Sequence, residues 1–85
     1  MQSIRIQTFA ALKDHLGAEF EFETSEGVSA AEIIAALETR VPAAGELLAA
    51  SRLAIGDEIV APEYVLTADD LRRGELFVLP PASGG

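Results

Sequence analysis

Polar and apolar positions alternate from the start of the chain. Ile4 and Ile6 stand between Arg5 and Gln7, which predicts a strand over Ser3–Phe9. Ala10–Leu16 has the length of two helical turns, and Gly17 supplies a C-terminal cap. Glu19-Phe20-Glu21-Phe22-Glu23 alternates strictly, so a strand here places two phenylalanines on one face and three carboxylates on the other. Thr24–Gly27 is turn-like. Ser29-Ala30-Ala31-Glu32 then has the spacing of a capping box. Behind it Ile33, Ile34, Leu37 and Val41 form an apolar stripe at helical spacing, which Pro42 ends. Ala43–Ala50 suits a shorter helix that Gly45 weakens.

Leu53-Ala54-Ile55 and Glu58-Ile59-Val60 flank Gly56-Asp57, a pattern that predicts a hairpin with glycine at the positive-φ turn position. Pro62 closes the second strand. Leu66 and Leu71 read as apolar anchors in a loop that carries Asp69, Asp70, Arg72 and Arg73. Leu76-Phe77-Val78-Leu79 is continuously apolar, which predicts a strand covered on both faces, and Pro80-Pro81 stops it. The order is strand, strand, main helix, then three strands with short helices between. An α+β fold follows: a β-grasp (ubiquitin-like) domain with a mixed four- or five-stranded sheet packed on one main helix. It would occupy residues 1–79, with 80–85 as a flexible C-terminal tail. No repeat or second domain is visible.

Composition narrows the function more than the fold. The chain has 85 residues, so its core is modest and a large catalytic cleft is not expected. Its net charge of −8, from 14 acidic and 6 basic residues, repels phosphate backbones and argues against nucleic acid as a partner. The same field favours a basic partner surface, or serves solubility alone. No apolar run is long enough to span a membrane, and the first residues lack the pattern of a signal peptide. A cytoplasmic protein is expected. With no cysteine, disulfides, a thiolate metal site and a cysteine nucleophile are excluded on this chain. The single histidine, His15, lacks converging partners, so no metal site is expected. Glu19, Glu21 and Glu23 suit a solvated face. The serines have no evident base, and the glycines form no phosphate-binding loop.

The tail Pro80-Pro81-Ala82-Ser83-Gly84-Gly85 carries the candidate chemistry. Two prolines fix φ and lack N–H groups, so the chain leaves the sheet extended. The segment spans up to about 20 Å, enough to enter a partner's pocket. Two glycines let a narrow channel close around the backbone. A terminal carboxylate on such a stalk can be activated as a mixed anhydride with AMP and then converted to a thiocarboxylate. Small terminal residues can equally be an idle end.

The run Leu76-Phe77-Val78-Leu79-Pro80-Pro81-Ala82-Ser83-Gly84-Gly85 closely resembles the end of the molybdopterin synthase small subunit family (MoaD, of the MoaD/ThiS ubiquitin-like sulfur carriers). That family finishes on a hydrophobic strand followed by Pro-Pro-x-Ser/Thr-Gly-Gly. Phe9-Ala10-Ala11-Leu12-Lys13-Asp14-His15-Leu16-Gly17 is similar to its Phe-Ala-x-x-Arg-x-x-x-Gly pattern. Two departures stand out: Gly56 where the hairpin often has Asn, and Arg73-Gly74-Glu75 where Gly-Asp often precedes the last strand.

The resemblance implies a sulfur carrier for molybdenum cofactor synthesis, and no enzyme by itself. Gly85 would hold the adenylate and then the thiocarboxylate. Gly84 would give clearance, and Pro80, Pro81, Ala82 and Ser83 would align the tail in partner sites. Phe77, or residues alternating with it, would make apolar contacts. The implied partners are an ATP-dependent adenylating enzyme and the large synthase subunit, in a heterotetramer with two copies of each. No cofactor is expected on this chain, since ATP is used by the activating enzyme. Other readings are a sulfur carrier for thiamine thiazole or cysteine synthesis, a protein modifier joined through Gly85 to lysines, and a plain interaction module.

Overall fold

The N-terminal alternation builds β1 (Gln2–Thr8) in the computed structural model, which describes residues 2–9 and 11–81. Ile4, Ile6 and Thr8 are buried, whereas Arg5 lies exposed on the opposite face. α1 (Ala11–Leu16) ends at Gly17. That glycine has φ of 83° and donates its N–H to the Lys13 carbonyl at 2.9 Å, which makes it the expected cap. The buried Thr8 hydroxyl donates to the Gly17 carbonyl and ties the cap to the end of β1.

β2 (Glu19–Thr24) pairs antiparallel with β1, and Phe20 stands opposite Ile6 and Phe22 opposite Ile4. Both phenylalanines therefore face the interior. Glu19, Glu21 and Glu23 are exposed on the outer face, as the alternation predicts.

α2 (Ala30–Arg40) starts at the predicted capping box. The Ser29 hydroxyl accepts from the Glu32 N–H at 3.1 Å, and the Glu32 carboxylate accepts from the Ser29 N–H at 3.2 Å. The next two free amides, of Ala30 and Ala31, donate to the Tyr64 and Pro62 carbonyls at 2.9 Å each. The capping box and the distant loop together satisfy the helix start. Ile33 and Leu37 bury the apolar stripe against the sheet, and Arg40 holds its guanidinium 6.0 Å from the Phe20 ring centroid. Pro42–Ala44 forms a 3-10 turn that leads into α3 (Gly45–Ala49). Gly45 is the first residue of α3, where its poor helix propensity matters little.

β3 (Arg52–Ile55) and β4 (Glu58–Val60) form the predicted hairpin, with Gly56 at φ 63°. β5 (Glu75–Leu79) inserts between β1, to which it is parallel, and β3, to which it is antiparallel. The sheet is therefore mixed and five-stranded, in the order β2-β1-β5-β3-β4. One core fills the space between its inner face and α2. Ile6, Leu12, Ile33, Leu37, Leu48, Leu53, Leu66, Leu76 and Val78 are its largest fully buried side chains.

Two expectations are corrected. The stretch from Leu66 to Arg73 is not a plain loop, because Ala68–Arg73 is a helix, α4. Thr67 and Asp70 form a second capping box, and Gly74, in the left-handed region at φ 69°, ends the helix. The Asp70 carboxylate is only 8% exposed and accepts from the Thr67 N–H at 2.9 Å and the Tyr64 hydroxyl at 2.6 Å. The other correction concerns β5. Leu76 and Val78 are buried under α2, but Phe77 and Leu79 on the opposite face are only half-buried. The strand is covered on one face.

Burial on its own would raise the Asp70 pKa. The Thr67 N–H, the Tyr64 hydroxyl and the nearby Arg73 charge outweigh it and hold the carboxyl below its ordinary value. A depressed folded-state pKa contributes stability above the unfolded value, about 3.9, and that contribution is lost as pH falls through the folded value. Asp70→Asn is therefore expected to lower the urea midpoint at neutral pH and to flatten the loss of stability on acidification below about pH 4. Urea titrations at several pH values check both effects.

Candidate functional site

β5 gives the tail a fixed root. It is the middle strand of five, hydrogen-bonded on both sides, and Leu76 and Val78 are 0% exposed. Residues beyond Leu79 therefore leave from the centre of the sheet and not from a fraying edge. Pro80 is half-buried and Pro81 exposed, and neither has an N–H with which to continue the ladder. Of the residues assigned to the tail, Ala82, Ser83, Gly84 and Gly85 lie outside the described residues.

The register places Phe77 in one row across the outer face. From β4 to β2 the row reads Ile59, Ala54, Phe77, Gln7, Glu19. It is apolar on the β4-β3-β5 side and acidic on the β2 edge. Phe9 extends the apolar side: its ring stacks on Phe77 with centroids 6.0 Å apart and planes 22° from parallel. Ile59 is 61% exposed and Phe9 43%, while the small Ala54 between Ile59 and Phe77 is buried. Small beside large leaves a shallow depression of about 280 Å³, lined also by Leu79, the residue from which the tail departs. Exposed aromatic and aliphatic side chains gathered on a rigid sheet make a surface suited to docking.

Charge is arranged around that patch. Arg52 is exposed and is the register partner of Leu79, which puts a cation beside the tail root. On the acidic half, Arg5 reaches Glu19 at 3.6 Å, with both side chains more than half exposed. Glu21 and Glu23 complete that half. His15 is exposed on α1, the Ser51 hydroxyl donates to the Leu47 carbonyl at 2.7 Å, and Ser29 is used as a cap. Among the described residues no three His, Asp or Glu side chains converge as metal ligands would. The described surface can hold a partner and present a tail.

Phe77 and Leu79 share the outer face of β5, and Pro80 follows directly on Leu79. The structure adds Phe9, Ala54 and Ile59, which sequence reading did not single out for partner contact. The hairpin register held the signal for two of them, because a two-residue turn at Gly56-Asp57 sets Ile59 opposite Ala54.

The sequence model of the ThiS family matches residues 6–85. The chain belongs to the ThiS family. This is the ThiS/MoaD group of ubiquitin-like sulfur carriers. Among solved structures, SAMP1 from Haloferax volcanii is similar at 25% identity with a TM-score of 0.69, over 98% of this chain and 99% of that one. A candidate molybdopterin converting factor, subunit 1, from Pyrococcus furiosus shares the fold with a TM-score of 0.72 at 19% identity, over 96% of this chain and 100% of that one. No curated protein matches the sequence. The β-grasp expectation holds: this ThiS-family chain has the mixed five-stranded sheet and main helix of its neighbours.

Proposed function

We propose that this ThiS-family chain is the sulfur-carrying small subunit of a cytoplasmic molybdopterin synthase. The observation that carries the reading is the junction at Leu79. A central strand flanked by an apolar docking face runs directly into Pro80-Pro81-Ala82-Ser83-Gly84-Gly85. The Pyrococcus protein of the same fold, named for molybdopterin conversion, supports the choice of pathway.

In this reading the Gly85 carboxylate attacks the α-phosphorus of ATP in the activating enzyme. A C–O–P bond forms and pyrophosphate leaves. A donor of sulfide-level sulfur, hydrosulfide in the simplest case, then attacks the acyl carbon: the C–S bond forms, the C–O bond to phosphate breaks, AMP leaves with the electron pair, and a thiocarboxylate remains. That sulfur passes to the pterin precursor, one thiocarboxylate for each dithiolene sulfur, and water restores the carboxylate. The Phe9–Phe77–Ile59 surface holds the large subunit during transfer, and Pro80 and Pro81 direct the tail into it. Gly84 and Gly85 fit a narrow channel because neither has a Cβ. The chain supplies position and an acyl group, and the chemistry takes place in its partners.

The match to the ThiS family model favours a second reading, sulfur delivery for thiamine thiazole. Reconstitution separates the two. The thiocarboxylated chain is mixed with the molybdopterin synthase large subunit and pterin precursor, or with the thiazole-forming enzyme. Dithiolene formation with a stable complex in the first mixture is the expected result. Sulfur transfer only in the second would replace the proposal.

A further inference from the structure

The two margins of the sheet are unlike. β4 is three residues long and is soon followed by Pro62, so it offers a partner strand almost no ladder. β2 is six residues long, regular, and free of proline and glycine. Its register shows which backbone groups are already used. Antiparallel partners alternate between pairs that exchange hydrogen bonds and pairs that do not. The Thr8 N–H donates to the Ala18 carbonyl at 2.9 Å, one step beyond the Gln7–Glu19 pair. The bonded pairs are therefore Ile6 with Phe20, Ile4 with Phe22 and Gln2 with Thr24. The N–H and C=O groups of Glu19, Glu21 and Glu23 point away from β1, and no turn, loop or cap among the described residues bonds them.

Side chains along this edge set the chemistry of whatever pairs with it. On the outer face stand the three exposed carboxylates. Arg5 lies 3.6 Å from Glu19, while Glu21 and Glu23 have no cation at ion-pair distance among the described residues. On the inner face Phe20 and Phe22 are half-buried, so the domain's own core leaves part of each ring uncovered. A groove of about 430 Å³ runs round the edge, lined by Ser3, Glu21, Phe22, Glu23 and Arg40. The Arg40 guanidinium is held over Phe20 on the inner side, which leaves the outer side acidic. A second copy of this chain fits the edge poorly. Two β2 strands paired antiparallel about their centres set Glu21 against Glu21 and Glu19 against Glu23, and like charges directly opposite repel.

We propose that the open edge of β2 binds an extended segment of a partner protein by strand addition. The segment carries lysine or arginine at alternate positions, opposite Glu19, Glu21 and Glu23. Between them it carries aliphatic residues that cover Phe20 and Phe22. Its backbone takes up the outward N–H and C=O groups of the three glutamates and supplies affinity, while the charge alternation supplies selection and register. β2 lies two strands from β5, so the edge is roughly 10 Å from the row position of Phe77. The segment and the apolar docking patch therefore occupy separate surfaces, and both can be filled at once. Nothing in this assignment depends on the reading of Gly85.

The test adds an end-blocked peptide of alternating lysine and valine to the full-length chain. NMR reads each backbone amide by chemical shift and by hydrogen exchange. Unpaired edge amides exchange fast, and pairing slows them in proportion to the bound fraction. The expected result is about tenfold protection of the Glu19, Glu21 and Glu23 amides at a peptide concentration about ten times its Kd. The same peptide N-methylated at its lysines keeps its charge but loses the donors that face β2, and should protect none of them. A peptide of alternating glutamate and valine should not bind. Glu21→Lys combined with Glu23→Lys should weaken the lysine–valine peptide at least about tenfold, with the other amide shifts of the sheet retained as a check on the fold. Shifts at the glutamates without amide protection would reduce the edge to a screened charge and overturn the proposal. Equal binding of the N-methylated peptide, protection confined to the Phe9–Phe77–Ile59 surface, or no response at millimolar peptide would also overturn it. Protection that rises with the concentration of the chain alone would overturn it in favour of a second copy.

Discussion

Deletion of Gly85 is expected to abolish sulfur transfer while leaving the fold and the affinity for partners nearly unchanged. The fold should survive because the last strand ends at Leu79, held on both sides by β1 and β3. Affinity should survive because the apolar patch of Phe9, Ala54, Ile59 and Phe77 lies on the sheet and not on the tail. Chemistry should not. Losing one residue moves the acyl carbon back by about 3.5 Å in an extended chain. A misplacement of about 1 Å can cost on the order of 10²-fold in rate, so the shortened tail should fall to background. Pyrophosphate exchange and single-turnover transfer measure the loss, and a binding isotherm confirms retained affinity. Transfer at the wild-type rate by the shortened chain would show that the reactive group lies elsewhere.

Phe77→Asp is expected to have the second largest effect, on binding. Phe77 stands at the centre of the outer-face row, between Ala54 and Gln7, with the Phe9 ring stacked on it. A carboxylate there would be buried without a partner in the complex. Loss of a central anchor costs about 2–4 kcal/mol, which corresponds to roughly 30- to 1,000-fold in affinity. The side chain lies on the outer face and is only half-buried, so the isolated domain should lose little stability. Calorimetric titration against the large subunit and a thermal melt separate the two effects. Equal losses in both would mean that Phe77 supports the fold and not the interface. The acidic half of the sheet should behave differently. Glu21→Gln should change association modestly and mainly at low salt, because an exposed charge acts through screened steering.

These two variants touch features of unequal legibility. Most of the fold could be read because local and global cues agree. The alternation of Ile4 and Ile6, and of Phe20 and Phe22, sets which face of β1 and β2 is buried. The Ser29–Glu32 spacing fixes the start of α2, and Gly56-Asp57 fixes the hairpin register. α4 was hidden because it is under two turns long and carries a single large apolar anchor, Leu71, which gives no periodicity. Its signals were Thr67 three residues before Asp70 and Gly74 after Arg73, with Asp in place of the usual Glu in the box. β5 misled for a different reason. A continuous apolar run records that both faces avoid water, and it does not distinguish a helix packed on the second face from a partner docked there. Phe77 and Leu79 are apolar on the face that the domain leaves open.

The candidate site divides along the same line. The tail is a contiguous motif and is read directly from Pro80 to Gly85. The docking patch is assembled from Phe9, Ala54, Ile59 and Phe77, which lie far apart in the chain and meet only through sheet pairing. The pathway is a property of the surfaces that recognise this chain, so no residue of its own states it.

The central claim is that sulfur travels on Gly85, and the intact mass of the chain tests it most directly. After incubation with the activating enzyme, Mg-ATP and a sulfur donor, the chain should be heavier by the difference between one sulfur and one oxygen atom. Fragmentation should place that increment on Gly85. An unchanged mass under conditions where pyrophosphate exchange proves adenylation, or an increment on any other residue, would contradict the account.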